Sequence, residues 1–346
     1  MLSLSMSSFI LLGMMSLSVV GLLTPLMRKV AIKLNVVDYP TESHKTHVNP
    51  IPYLGGVAII LGVIFVIYIA SVVSQFTKST FLLASTILIP AFIMGVVGLI
   101  DDVRKLMPWP RFLMQTFFGI AISLSLVITE TLGSPFGNAW IDVPLTSLWI
   151  VGITNAVNFF DNIDGGASGA MFISSAFLFV LAWQSGQILI AAMSMVVAGA
   201  TIGFLLWNRP PARIYMGDAG ALFLGVLMAS LSTRFDPIPI DRLASYSIPI
   251  LLLAIPIMDT SVAVLSRIQR GISPFQGGRD HLSHRLMGLG YSKKQAVLIL
   301  WLLSLFFCLM ATAISNASYH LERPLMLFAL VCWLTFSSCF FQLKRS

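Results

Sequence analysis

Leu54-Gly-Gly-Val-Ala-Ile-Ile-Leu-Gly-Val-Ile-Phe-Val-Ile-Tyr-Ile-Ala-Ser-Val-Val73 is a stretch of 20 residues without a charge, and its length decides the fold. A helix of about 20 apolar residues rises about 30 Å, the thickness of a bilayer's hydrocarbon core. Similar runs flank it: Phe9 to Leu26, Phe81 to Ile100, Phe112 to Ile128, Leu145 to Val157, Ala170 to Trp183, Ile188 to Trp207, Ala219 to Leu231, Tyr246 to Leu265, Ala296 to Ile314 and Leu325 to Phe341. The shorter ones extend through flanking small residues. Only 10% of the chain is charged and 57% is hydrophobic, against roughly 25% charged in globular domains, so a water-facing surface cannot be built. The expected fold is all-α, a polytopic membrane protein of about ten or eleven transmembrane helices.

The first run reads as a span rather than a cleavable signal peptide. No basic region precedes it, and Arg28 and Lys29 follow it in place of a small-residue cleavage site. Cys308, Cys332 and Cys339 lie within the last two runs without metal-like spacing and read as packing residues. With no low-complexity linker, charge block or repeat, residues 1–346 read as one integral membrane domain.

The connections alternate in charge. Those near 28–53, 101–111, 159–165, 208–217 and 267–294, with the C-terminal tail, hold 17 of the 21 Lys and Arg. The others hold Lys78, Arg234, Arg242 and Arg323. Cytoplasmic loops carry the basic excess, which places the first set inside, the N-terminus outside and the C-terminus in the cytoplasm. The net charge of +7 therefore follows topology and anionic lipid. A basic stripe with interleaved aromatics, which would suggest nucleic acid, is absent from the sequence.

Polar residues that hydropathy does not explain gather in those same connections: Asp101 and Asp102, the series Asn155, Asn158, Asp161, Asn162 and Asp164, then Asp218, and finally Asp280, His281, His284 and Arg285. Charged groups beside spanning helices are costly and generally face a cavity or a partner. Asn155 and Asn158 are three apart, as are Asp161 and Asp164, so each pair shares a helix face. These oxygens, joined by Asp218 from another helix, suit Mg²⁺, which takes few protein ligands and leaves positions for phosphate oxygens. The ion would neutralise a diphosphate that carboxylates alone would repel. Plainer readings exist: the aspartates can cap helices, the histidines can be solvated loop residues, and Phe159 and Phe160 can simply pack. Asp259, inside an apolar run that also carries Pro249 and Pro256, needs a buried partner whether its role is functional or structural.

Six stretches in order carry a resemblance: His44-Lys-Thr-His-Val-Asn-Pro-Ile-Pro-Tyr-Leu-Gly-Gly56, Gly98-Leu-Ile-Asp-Asp-Val103, Asn155 to Gly165, Tyr215-Met-Gly-Asp-Ala-Gly220, Pro256-Ile-Met-Asp-Thr260, and Gly271-Ile-Ser-Pro-Phe275 through His284-Arg-Leu286. The chain resembles the polyprenyl-phosphate N-acetylhexosamine-1-phosphate transferases, the superfamily that includes the phospho-N-acetylmuramoyl-pentapeptide transferase. The resemblance implies transfer of a sugar 1-phosphate, GlcNAc first, from a UDP-sugar to undecaprenyl or another polyprenyl phosphate. UMP is released, and the diphosphate-linked lipid starts an envelope glycan such as O-antigen, common antigen or teichoic acid. It implies a Mg²⁺ cofactor, with Mn²⁺ as a substitute, and a bacterial inner-membrane enzyme working on the cytoplasmic side. Oligomeric state stays open, a homodimer included.

Carried over by position, the resemblance makes Asn158 and Asp218 metal ligands. Asp101 becomes the residue that deprotonates or positions the acceptor phosphate, with Asp102 as its neighbour. Asp161 lies beside diphosphate and metal, Asp164 contacts uracil, and Lys45, His281, His284 and Arg285 contact the nucleotide sugar. Asn155 and Arg111 complete the expected substrate contacts. Direct attack and an aspartyl-phosphate route both remain open.

His281-Leu282-Ser283-His284 replaces the family's frequent His-x-His-His, which points away from the muramoyl branch. Asn162 stands where glycine is frequent, Gly166 where leucine is, Ala221 where serine is and Arg111 where lysine is. Two rival classes stand beside the transferase: a secondary transporter using carboxylates as ion sites, which would place them near mid-membrane on broken helices, and a catalytically silent scaffold.

Overall fold

The computed structural model describes residues 4–39, 50–73, 77–104, 108–128, 138–237, 241–274, 278–318 and 320–343. The chain runs α1 (Met6–Lys33), β1 (Val37–Asp38), β2 (Ile51–Pro52), α2 (Gly55–Val73), α3 (Lys78–Arg104), α4 (Pro108–Ile128), α5 (Ala139–Phe160), α6 (Gly166–Gln184), α7 (Ile188–Asn208), α8 (Gly217–Arg234), α9 (Arg242–Leu252), α10 (Ala254–Gln269), α11 (Leu282–Gly288), α12 (Lys293–Ser315) and α13 (Glu322–Gln342). Among the described residues, nine helices are long and apolar enough to cross a bilayer: α1 to α7, α12 and α13. Exposed Leu11, Leu22, Tyr68, Val73, Phe117 and Leu148 make their outer surface apolar, as lipid contact requires. The chain is a multi-pass membrane protein.

The two remaining apolar runs differ from simple spans. Ala219 to Leu231 lies in α8, where 16 of 18 residues are buried. This helix is the axis of the bundle, with α2, α3 and α5 packed around it. At its first turn the backbones nearly touch: a Cβ on Gly56 would lie 2.1 Å from the Gly220 nitrogen, and one on Gly98 would lie 2.3 Å from the Asp218 carbonyl oxygen. Those glycines let α2 and α3 cross the start of α8, bringing the acids at the end of α3 to Asp218.

The run Tyr246 to Leu265 is broken, with α9 and α10 meeting at 76°. Pro256 has no N–H to give the Leu252 carbonyl four residues back, so the helix opens there. Ser174 Oγ of α6 donates to that freed oxygen at 2.6 Å, and the Trp333 indole of α13 donates to the Ala254 carbonyl at 3.1 Å. A backbone group exposed by a break inside a membrane protein must find such partners. Ser174→Ala is expected to cost about 1 kcal/mol, the usual net worth of one such bond, read as a lower midpoint of unfolding in mixed micelles.

A small sheet departs from the expected all-helical picture. β1 and β2 pair antiparallel, Val37 opposite Pro52, and Tyr215 N–H donates to the Pro52 carbonyl at 2.9 Å. This pins the α1–α2 connection to the start of α8. The ends of α1, α3, α5 and α7, the starts of α2, α4, α6 and α8, and α10 are joined at one end of the bundle by backbone and side-chain bonds, among them Gly55 N–H to the Tyr215 carbonyl and Arg28 Nε to the Arg213 carbonyl.

Candidate active site

At this polar end four helices bring side chains to one point. Asp101, buried in the last turns of α3, and Asp218, in the first turn of α8, both accept hydrogen bonds from one nitrogen of Arg111, at 2.6 Å and 2.7 Å. Asn158 of α5 donates its amide to the other Asp218 oxygen at 2.7 Å. Turning that amide over would present Oδ1 to a cation instead.

Asp102 reaches past Asp101 to accept from the backbone N–H groups of Asp218 and Ala219, at 2.8 and 3.1 Å. It caps α8 from a different helix, a negative charge at a positive helix end. Gly217 makes room: its φ is +70°, and a Cβ there would stand 2.5 Å from an Asp102 oxygen. The capping alternative thus describes Asp102, although the helix it caps is not its own.

Asp161 closes the C-terminus of α5. Burial, then the carboxylates of Asp218, Asp102 and Asp164, hold its pKa well above the usual carboxylate range. So many carboxyl groups around one guanidinium make an environment in which a hard cation would favour their charged forms. Among the described residues no three acidic, histidine or cysteine side chains form a ready metal cage. The donors nevertheless fit Mg²⁺, which commonly binds through one or two carboxylates and completes its octahedron with water and phosphate.

A second cluster adjoins the first. His281 Nδ1 donates to Asp259 at 2.7 Å, its Nε2 lies 3.3 Å from Arg267, and Asp259 also accepts from the Leu282 N–H at 2.7 Å and the Asn162 amide at 3.2 Å. Ser283 Oγ donates to the Asn162 side-chain amide oxygen Oδ1 at 2.5 Å. Arg267 and Arg270 hold Asp280 at 3.2 and 2.5 Å. Burial pushes that carboxyl up, but the two guanidinium groups outweigh it and keep its pKa below the ordinary value. The segment 158–162 joins the clusters, because Phe159 lies under Arg267 and edge-on to the His281 ring.

The remaining expected residues divide. Asn155, beside Asn158, is tied to Gln115 and to the Val151 carbonyl, at 2.7 and 2.8 Å. Asp164 accepts from the Ala212 N–H at 3.0 Å, with Lys293 3.9 Å away. His284 is buried with its ring 6.3 Å from that of His281.

Arg285 differs from the expectation. It is 1% exposed, and its guanidinium donates to the carbonyls of Asp280, Phe340, Phe341 and Leu343 and to Ser266 Oγ. It fastens the end of α13 and leaves no surface for a nucleotide sugar. His281 likewise has both ring nitrogens engaged within the protein, so it positions its loop. Lys45 lies outside the described residues.

Sequence reasoning missed Gln115, an uncharged polar residue inside an apolar run, and treated Arg267 and Arg270 only as topological charges. Their place in the last turn of α10, just before Asp280, was the available signal.

The family model for glycosyl transferase family 4 matches residues 84–236. The chain is 35% identical over 314 residues to a probable undecaprenyl-phosphate N-acetylglucosaminyl 1-phosphate transferase of Bacillus subtilis, covering 89% of this chain and 85% of that one. It is 30% identical over 321 residues to the decaprenyl-phosphate N-acetylglucosaminephosphotransferase of Mycobacterium leprae, covering 84% and 80%. It is 27% identical over 328 residues to the undecaprenyl-phosphate alpha-N-acetylglucosaminyl 1-phosphate transferase of Yersinia pestis, covering 90% and 86%.

Proposed function

The chain belongs to glycosyl transferase family 4, and we propose that it transfers GlcNAc 1-phosphate from UDP-GlcNAc to undecaprenyl or a related polyprenyl phosphate. The observation that carries this reading is the meeting of Asp101, Arg111, Asn158 and Asp218 from four helices at one end of a membrane bundle. A lipid phosphate can be presented there from the bilayer and a soluble nucleotide sugar from the water.

The bond formed joins an acceptor phosphate oxygen to the sugar-bearing phosphorus. The bond broken joins that phosphorus to the bridging oxygen, which leaves with UMP. Both reactants are anionic, so positioning and charge neutralisation dominate the barrier. Arg111 offers a cationic donor to phosphate, and Asp101 positions the acceptor phosphate or takes its proton. Asp218 and Asn158 hold Mg²⁺, with Asp161 close by. When bound, that ion supplies Lewis-acid neutralisation of the diphosphate. The Asp259–His281 pair keeps the start of α11 against the end of α5 and thereby shapes the nucleotide side of the site. We assign this end to the cytoplasmic face of a bacterial inner membrane, following the basic bias of its connections.

Full-length protein in detergent, given UDP-GlcNAc, undecaprenyl phosphate and Mg²⁺, is expected to release UMP in proportion to diphosphate-linked lipid. Chelation of the metal should stop release and re-addition restore it. Absence of UMP under these conditions, with the protein folded, would refute the transferase reading and favour a transporter or scaffold.

A further inference from the structure

We propose that Arg111 is a resident counter-ion: the divalent cation displaces it from Asp218, and the freed guanidinium moves onto the phosphate of the lipid acceptor. The inference deepens the reading above and rests on a divalent ion binding at Asp218.

One nitrogen of Arg111 stands 2.6 Å from an Asp101 oxygen and 2.7 Å from an Asp218 oxygen. That cationic atom occupies an Asp218 oxygen and the space beside it, where a divalent ion held by Asp218 would sit. The remaining Asp218 oxygen faces Asn158 at 2.7 Å. With Asp102 held on the Asp218 and Ala219 N–H groups close behind, the substrate-free site would otherwise crowd carboxyl groups together without an internal cation between Asp101 and Asp218. Two cations cannot share that position, so binding of one requires the other to leave.

The geometry favours departure of Arg111 toward the site's mouth. Its side chain is 21% exposed, whereas that of Asp101 is 6% exposed, so it can swing outward without crossing packed core. It also sits in the first turn of α4.

Gln115 supplies a second, independent observation. It lies one turn further along the same face of α4 and is 3% exposed. The Asn155 amide donates to the Val151 carbonyl, which fixes its orientation, so its second N–H must meet the carbonyl oxygen of Gln115. Gln115 Nε2 then faces away and has no hydrogen-bond partner among the described residues. A buried donor left without an acceptor is rare in a native structure and calls for an explanation. An incoming phosphate would provide the acceptor once Arg111 leaves the carboxylates, receiving bonds from both side chains.

The test is Mn²⁺ binding to substrate-free, full-length protein in detergent, followed by electron paramagnetic resonance and by the Mn²⁺-dependent rise in melting temperature. R111M should bind Mn²⁺ about tenfold more tightly than the wild type, since a like charge beside a cation site opposes the second cation by about that factor. The thermal rise should be larger too, and R111K should stay near the wild type. R111Q takes the place of R111M if the latter does not fold. With substrates present, R111M should lose kcat/KM for the polyprenyl phosphate despite its tighter metal. Equal or weaker Mn²⁺ binding by R111M, with wild-type binding intact and lost in D218N, would overturn the exchange but leave the metal site standing. Mn²⁺ binding that D218N does not reduce would overturn the metal site as well.

Discussion

Asp218→Asn lowers the rate of UMP release by about a thousandfold or more while leaving the protein folded. The substitution keeps the shape of the side chain. Its carbonyl oxygen can still accept from Arg111, at 2.7 Å in the native protein, and Asn158 can turn its amide over to meet the new NH₂. What disappears is a full negative charge from the proposed metal site. A bound cation contributes several kcal/mol of charge stabilisation in phosphoryl chemistry, and a thousandfold loss corresponds to about 4 kcal/mol. Single-turnover rates with saturating UDP-GlcNAc, alongside the melting temperature, separate lost chemistry from lost fold. A variant that folds and retains wild-type turnover would remove Asp218 from the metal site.

Asp259→Ala has the second large effect, and it is visible in stability as well as in rate. Asp259 is fully buried and accepts from the His281 ring, the Leu282 N–H and the Asn162 amide. Truncation leaves these donors without their acceptor inside the protein, which should destabilise it by roughly 2–4 kcal/mol. The 280–284 loop would lose its anchor to α10 and α5. Because displacements of about 1 Å in a positioned site cost roughly a hundredfold in rate, turnover should fall by that order in the fraction still folded. Asp259→Asn, which can still accept from Leu282, should recover much of both losses. Equal damage from Ala and Asn would mean that the negative charge, rather than the anchoring, matters.

The transmembrane architecture was legible because each spanning helix must satisfy its own backbone and present an apolar surface, which forces long uncharged runs. The break between α9 and α10 was hidden because Tyr246 to Leu265 is apolar enough and long enough to read as one span. Only its prolines hinted at it, and the group that makes the break tolerable, Ser174, lies 78 residues away in sequence. The site was legible as residue types at one surface, but their roles were not. Asp102 caps a helix that begins 115 residues later, a relation no local spacing reveals. Arg285, next to a histidine in a glycine-bordered loop, read as a substrate contact, whereas its partners are mostly carbonyls at the end of α13. Backbone acceptors carry no signature in the sequence. Asp259 read as a buried acid in need of a partner, and His281 in the following loop is one of those partners. That engagement also bears on the transporter alternative, since Asp259, beside the broken helix, is already tied to His281, Leu282 and Asn162.

The most direct measurement is electron–nuclear double resonance of Mn²⁺ bound to the full-length protein, before and after UDP-GlcNAc is added. If carboxylates from separate helices hold a divalent ion against the nucleotide diphosphate, ³¹P couplings appear on adding the donor and vanish in Asp218→Asn. A Mn²⁺ signal that shows no phosphorus coupling with the donor bound, or that is the same in Asp218→Asn, contradicts that arrangement.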